Sequence, residues 1–129
     1  MKIYFIIAVL LATSTLVFAR PSSRQLLLAM HKQLDAMCRG GSGDNPSTDD
    51  ACRVRTSVSN LLRTIRNGNT ESNDENALSI YKDLNDMCRG ASGDRAETNQ
   101  ACEVRQKASA LLENLGYCWR GAWWKKCRA

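Results

Sequence analysis

The heptapeptide Cys38-Arg39-Gly40-Gly41-Ser42-Gly43-Asp44 returns fifty residues later as Cys88-Arg89-Gly90-Ala91-Ser92-Gly93-Asp94. The echo runs outward on both sides: Leu34 and Met37 match Leu84 and Met87, Ala51-Cys52 with Val54 and Arg55 matches Ala101-Cys102 with Val104 and Arg105, and Leu61-Leu62 matches Leu111-Leu112. Between 34–62 and 84–112 there are 16 identities in 29 aligned positions without a gap. Such self-similarity implies a duplicated unit of about fifty residues, so the chain must fold as two copies of one small element.

The start of the chain bears on its compartment. Met1-Lys2 is a short positive opening, Ile3 to Leu11 is almost purely apolar, and Val17-Phe18-Ala19 places small residues where a signal peptidase reads. This pattern predicts a secretory signal peptide cleaved after Ala19. The apolar run is interrupted by Thr13, Ser14 and Thr15 and falls short of the ~20 residues a membrane span needs. Without Lys2 the exported chain of 110 residues carries 17 Lys and Arg against 13 Asp and Glu, a mild +4. That length supports one domain with a modest core.

All six cysteines, at 38, 52, 88, 102, 118 and 127, follow the leader. An even count in a small exported chain implies disulfides. A zinc site is disfavoured, because the spacings are not those of a metal knuckle and His31 is the only histidine. The internal match makes Cys38–Cys52 and Cys88–Cys102 equivalent pairs and leaves Cys118–Cys127 to close the tail.

Four amphipathic helices are expected. The first spans Ser23 to Cys38, with Leu26, Leu27, Met30, Leu34 and Met37 on one stripe. The glycine-rich turn stops it, and a second helix starts with Asn45 or Ser47 as cap and Asp49 and Asp50 in its first turn. That helix buries Ala51, Val54, Val58, Leu61, Leu62 and Ile65 and ends at Asn67-Gly68. Ser72 with Glu75 forms a capping box opening the third helix, whose inner face holds Ala77, Ile80, Tyr81, Leu84 and Met87. The fourth carries Ala101, Val104, Ala108, Leu111, Leu112 and Leu115 before Gly116, and strand signals are nearly absent. Each hairpin brings its cysteine pair together. Cys102 and Cys118 would lie ~24 Å apart along a continuous helix and cannot bond. The expectation is an all-α chain: two tandem disulfide-stapled helical hairpins form a small four-helix bundle with a disulfide-closed aromatic and basic tail. Its divisions are a signal peptide at 1–19, hairpin repeats at 20–68 and 69–116, and the tail at 117–129.

Candidate sites are few. The Arg-Gly-x-Ser-Gly-Asp turns, with Asp44 and Asp94, could form an anion nest or a cation loop. They lack the alternating acids of a calcium-binding hand and the Gly-Lys-Ser/Thr end of a P-loop, and a glycine turn with a capping aspartate accounts for them. His31 lacks a nucleophile and an orienting partner and reads as a helix-surface histidine. The pairs Asp49-Asp50 and Asp74-Glu75 suit helix starts. No catalytic set, metal or cofactor is expected. The tail is more suggestive: Trp119, Arg120, Trp123, Trp124, Lys125, Lys126 and Arg128 place every tryptophan among four cations with no acid. Such a loop suits a protein partner, anionic lipid or an envelope glycan. Nucleic acid fits its chemistry but not the compartment. The alternative is that one or two of the tryptophans cap the open end of the bundle while the lysines stay solvated.

The string Met-Cys-Arg-Gly-x-Ser-Gly-Asp, then Ala-Cys-x-x-Arg, then Leu-Gly-Tyr-Cys-Trp-Arg-Gly resembles a module of small exported proteins of Gram-negative bacteria, most of them uncharacterised. Residues 84–121 match throughout; residues 34–62 match the first two thirds and lack the third cysteine and its aromatic. The resemblance brings no established activity or catalytic residue, and it implies an association with conjugative plasmids or envelope secretion systems. The expected function is a periplasmic or secreted, non-enzymatic binding protein at the cell envelope, an inhibitor or immunity-type partner of an envelope protein. The alternative is a membrane-active or killing factor.

Overall fold

A computed structural model describes residues 19–40, 46–68, 70–90 and 96–128. Residues 1–18 of the expected leader, the cap Asn45 and the Ser-Gly-Asp parts of both glycine turns, Asp44 and Asp94 included, lie outside these residues.

Four helices follow one another: α1 (Ser23–Gly40), α2 (Pro46–Arg66), α3 (Thr70–Arg89) and α4 (Ala96–Asn114). A capping box opens α1: the Ser22 hydroxyl accepts from the Gln25 amide at 3.2 Å, and the Gln25 side chain accepts from the Ser22 amide at 2.9 Å. Helix α2 starts at Pro46, whose fixed φ and missing amide hydrogen suit a first helical position, so Ser47 lies inside the helix instead of capping it. Helix α3 starts at Thr70, two residues ahead of the Ser72–Glu75 box expected to open it. Gly68 and Gly116 follow α2 and α4 with φ of 76° and 85°, the left-handed conformation that ends a helix and that side chains disfavour.

Helix α1 packs on α2 and α4, and α3 packs on the same two, which closes an up-down-up-down bundle. Its core is the set of stripes read from the sequence. Leu26, Leu27, Met30 and Leu34 of α1 meet Ala51, Val54, Val58 and Leu61 of α2; Ala77, Ile80 and Leu84 of α3 meet Val104, Ala108, Leu111 and Leu112 of α4. Tyr81, Leu62, Ile65, Met37, Met87 and Leu115, all expected inside, are only partly buried at its margin. Polar contacts tie the hairpins together at the seams. Arg53 of α2 pairs with Asp83 of α3 at 2.9 Å, while Gln33 of α1 receives Lys107 at 2.6 Å and donates to Glu103 at 3.0 Å on α4.

Cys38–Cys52, Cys88–Cys102 and Cys118–Cys127 are the three disulfides, with Cα separations of 4.8, 4.7 and 5.2 Å. The first two link the helices of each hairpin. By the chain-entropy relation each such closure contributes about 3 kcal/mol.

Leu84 is fully buried whereas Leu28, on the outer side of α1, is half exposed. Leu84→Ala is expected to cost ~2–5 kcal/mol in denaturant unfolding of the oxidised protein, and Leu28→Ala well under half of that. Equal costs would mean that the helical register is wrong.

Candidate functional site

After Gly116 the chain forms an element the sequence did not announce. Strands β1 (Tyr117–Trp119) and β2 (Trp124–Lys126) pair antiparallel, with Tyr117 opposite Lys126, Cys118 opposite Lys125 and Trp119 opposite Trp124. The four residues between them turn with Gly121 at φ 82°, and the Arg120 amide donates to the Trp123 carbonyl at 2.9 Å. Because side chains alternate along a strand, Tyr117, Trp119, Trp124 and Lys126 share one face, and Cys118 and Lys125 share the other. Cys118–Cys127 closes the base, where the Cys127 amide also donates to the Gly116 carbonyl at 2.8 Å.

The first face docks on α3 and α4. Trp124 and Tyr117 pack against the margin of the core. The Tyr81 ring lies 5.5 Å from Trp124 and 6.3 Å from Trp119, and the two tryptophans are 5.4 Å apart, edge to face. Offset and T-shaped contacts of this kind favour the ring quadrupoles, so a tyrosine at the rim of the helical stripe becomes the anchor of the tail. Lys126 locks the other end. Its ammonium bonds Asp74 of α3 at 2.6 Å and the Leu115 carbonyl at 3.0 Å, and sits 4.5 Å over the Tyr117 ring. The bond to Asp74 raises the Lys126 pKa, and burial, with the Asp74 charge beside it, raises that of Tyr117.

Between the docked hairpin and the bundle runs an open groove of about 830 Å³. Its helical floor comes from Leu78, Tyr81, Lys82, Asn85 and Arg89 of α3, recurring at three- and four-residue steps, and from Arg105, Gln106 and Ser109 of α4. Trp119, Trp123 and Trp124 form the opposite wall. One end is aromatic, around Tyr81; the other is cationic, around Arg89 and Arg105, two helical turns or ~12 Å farther along α3. The lining includes three cations and no carboxylate. The Trp124 indole nitrogen, on this wall, is buried with no hydrogen-bond partner among the described residues.

Of the tail residues proposed from sequence, then, the three tryptophans line the groove. Lys126 holds the hairpin in place, and Arg120, Lys125 and Arg128 are exposed outside the lining. His31 is half-buried on α1, in the other hairpin. Arg89 and Arg105 stand in the repeated motifs but were not linked to the tail, and Lys82, Asn85 and Gln106 carried no signal beyond their place on the polar side of α3 and α4.

The matching surface of the first hairpin is arranged differently. There Asp35 accepts from Arg55 at 2.8 Å and from Arg39 at 3.0 Å, and the Arg55 bond is the main cause that holds the Asp35 carboxyl below its ordinary value.

No protein-family model, curated protein or solved structure matches this chain.

Two pH dependences follow. A depressed carboxylate stabilises the fold above its unfolded pKa and ceases to do so as pH falls through the folded one. Asp35→Asn should therefore lower the melting temperature at neutral pH, with the gap closing as pH drops below the ordinary 3.8; a gap independent of pH would remove the ion pair as its cause. For Lys126 and Tyr117 the sign is opposite: their stabilisation is complete below the ordinary values of 10.5 and 10.0 and fades as pH rises through the folded ones. Tryptophan emission should shift red in that alkaline range while helical circular dichroism persists. Simultaneous loss of both signals would mean that the tail does not undock separately.

Proposed function

We propose that this protein is an exported, non-enzymatic binding protein of the cell envelope that holds a protein partner with its tail hairpin and the groove beneath it, as an inhibitor or immunity-type protein would. The observation that carries this reading is the placement of the tryptophans. Trp124 is spent on docking the hairpin, but Trp119 and Trp123 remain 45% and 58% exposed beside a groove lined by cations. Large aromatics left in water next to arginine are the residues that anchor protein interfaces. Three disulfides and the absence, among the described residues, of any helix long and apolar enough to cross a membrane are compatible with export. The motif resemblance points to the same compartment.

The second reading is a membrane-active factor, favoured by one feature. Trp123 is exposed in the hairpin turn with Arg120 and Lys125 close by in the chain, a combination that suits a headgroup interface.

Affinity capture from envelope extract with the oxidised protein, beside Trp119→Ala/Trp123→Ala, separates the two. The binding reading expects one stoichiometric protein with the native form and at least about a tenfold loss with the variant, whose helical circular dichroism should match that of the native bundle. Recovery of lipid alone, together with vesicle leakage that the double variant abolishes, would give the membrane reading its place.

A further inference from the structure

The two hairpins differ at one polar position that decides the charge of the groove. In the first, Asp35 gathers both Arg55 and Arg39. In the second, the matching position is Asn85, whose carbonyl oxygen accepts from Arg105 at 3.0 Å. The neutral amide keeps the guanidinium in place, as the carboxylate does in the first hairpin, but does not neutralise it. Among the described residues neither Arg105 nor Arg89 forms an ion pair, while their counterparts Arg55 and Arg39 both do. The third cation, Lys82, is engaged only by Asp86 at 3.2 Å, in a pair so exposed that it contributes little.

A second difference coincides with the first. Tyr81 stands where α1 has His31, and the tail docks on Tyr81, so the aromatic wall covers the hairpin whose arginines are unneutralised. Leu28, the counterpart of the groove residue Leu78, is left half exposed.

We propose that the groove receives an acidic segment of a protein partner, with a carboxylate on Arg105 and Arg89 and a neighbouring apolar side chain against Trp119 and Trp123, and that Asn85 is the residue that keeps this site open to an anion. The proposal rests on the binding reading above and names the chemistry of its partner. A guanidinium held by one neutral hydrogen bond, as that of Arg105 is, retains donors for a planar carboxylate. The site is a recess between helices and hairpin, which admits a side chain or strand more readily than it meets a flat bilayer. The charged groups of its lining are all cations, so the charge it complements is negative.

The test places the first hairpin's solution in the second. Asn85→Asp should fold as the native chain does, because the same Asp–Arg arrangement already exists at Asp35, and its melting temperature checks this. The probe is the capped peptide acetyl-Glu-Phe-Glu-Phe-Glu-amide, titrated into the oxidised protein and followed by tryptophan emission. Its lysine-for-glutamate counterpart and vesicles of phosphatidylcholine with phosphatidylglycerol are run beside it. The acidic peptide is expected to bind, more weakly as salt is raised, and to lose about tenfold or more in affinity with Asn85→Asp. The control Asp35→Asn should bind it as the native protein does. Equal affinity of native protein and Asn85→Asp, equal binding of the lysine peptide, or binding to the vesicles alone would each overturn the proposal. Capture of the same envelope protein by native protein and Asn85→Asp alike would overturn the assignment of the groove and leave the binding reading standing. Capture of none would remove that reading itself.

Discussion

Each helix pair is clamped at one end, and the remainder of the molecule follows from those clamps. Cys38–Cys52 and Cys88–Cys102 bring the end of one helix against the first turns of the next, at Cα separations under 5 Å. Approach that close needs small neighbours, and Ala51 and Ala101, each buried and adjacent to its cysteine, supply them. Among the described residues the apolar core is leucine, valine and alanine with one methionine and one isoleucine, and no aromatic ring is fully buried in it. Cross-links that restrict the unfolded chain therefore matter more here than in a larger domain.

Onto this near-symmetric frame the chain adds one asymmetric element. The second hairpin continues through Gly116 into a disulfide-closed pair of strands, where the first turns at Gly68 into the next helix. Divergence at three matching positions makes sense together: Cys118 for Gly68 closes the tail, Tyr81 for His31 anchors it, and Asn85 for Asp35 leaves the charge it faces unneutralised. A surface that is an ion-paired helical face on one hairpin is thus a groove with an aromatic and a cationic end on the other.

Much of the frame was legible because helical burial is periodic. The stripes from Leu26 to Leu34 and from Val104 to Leu112 announce their inward faces, and the cysteine pairing follows from hairpin geometry. Boundaries were less legible. The Ser22–Gln25 box opens α1 as such boxes do, but the equally good Ser72–Glu75 pair lies inside α3, since a local capping motif is overridden when the helix gains by extending. The strands escaped notice because three-residue segments rich in tryptophan and lysine carry no alternation long enough to read.

The candidate site divides along the same line. Sequence alone determined that tryptophans and cations crowd the tail, because composition and chain proximity are properties of the chain itself. It determined likewise that two stapled helical hairpins form the body, because the helical period and the cysteine spacing are local quantities. Only the tertiary structure decided which tail residues face the bundle, that Lys126 is consumed in holding the hairpin, and that Arg89 and Arg105 belong to the same surface as the indoles. Those outcomes depend on a docking angle between strands and helices. That angle is set by the Tyr81–Trp124 contact and the Lys126–Asp74 bond, which join residues some forty to fifty positions apart.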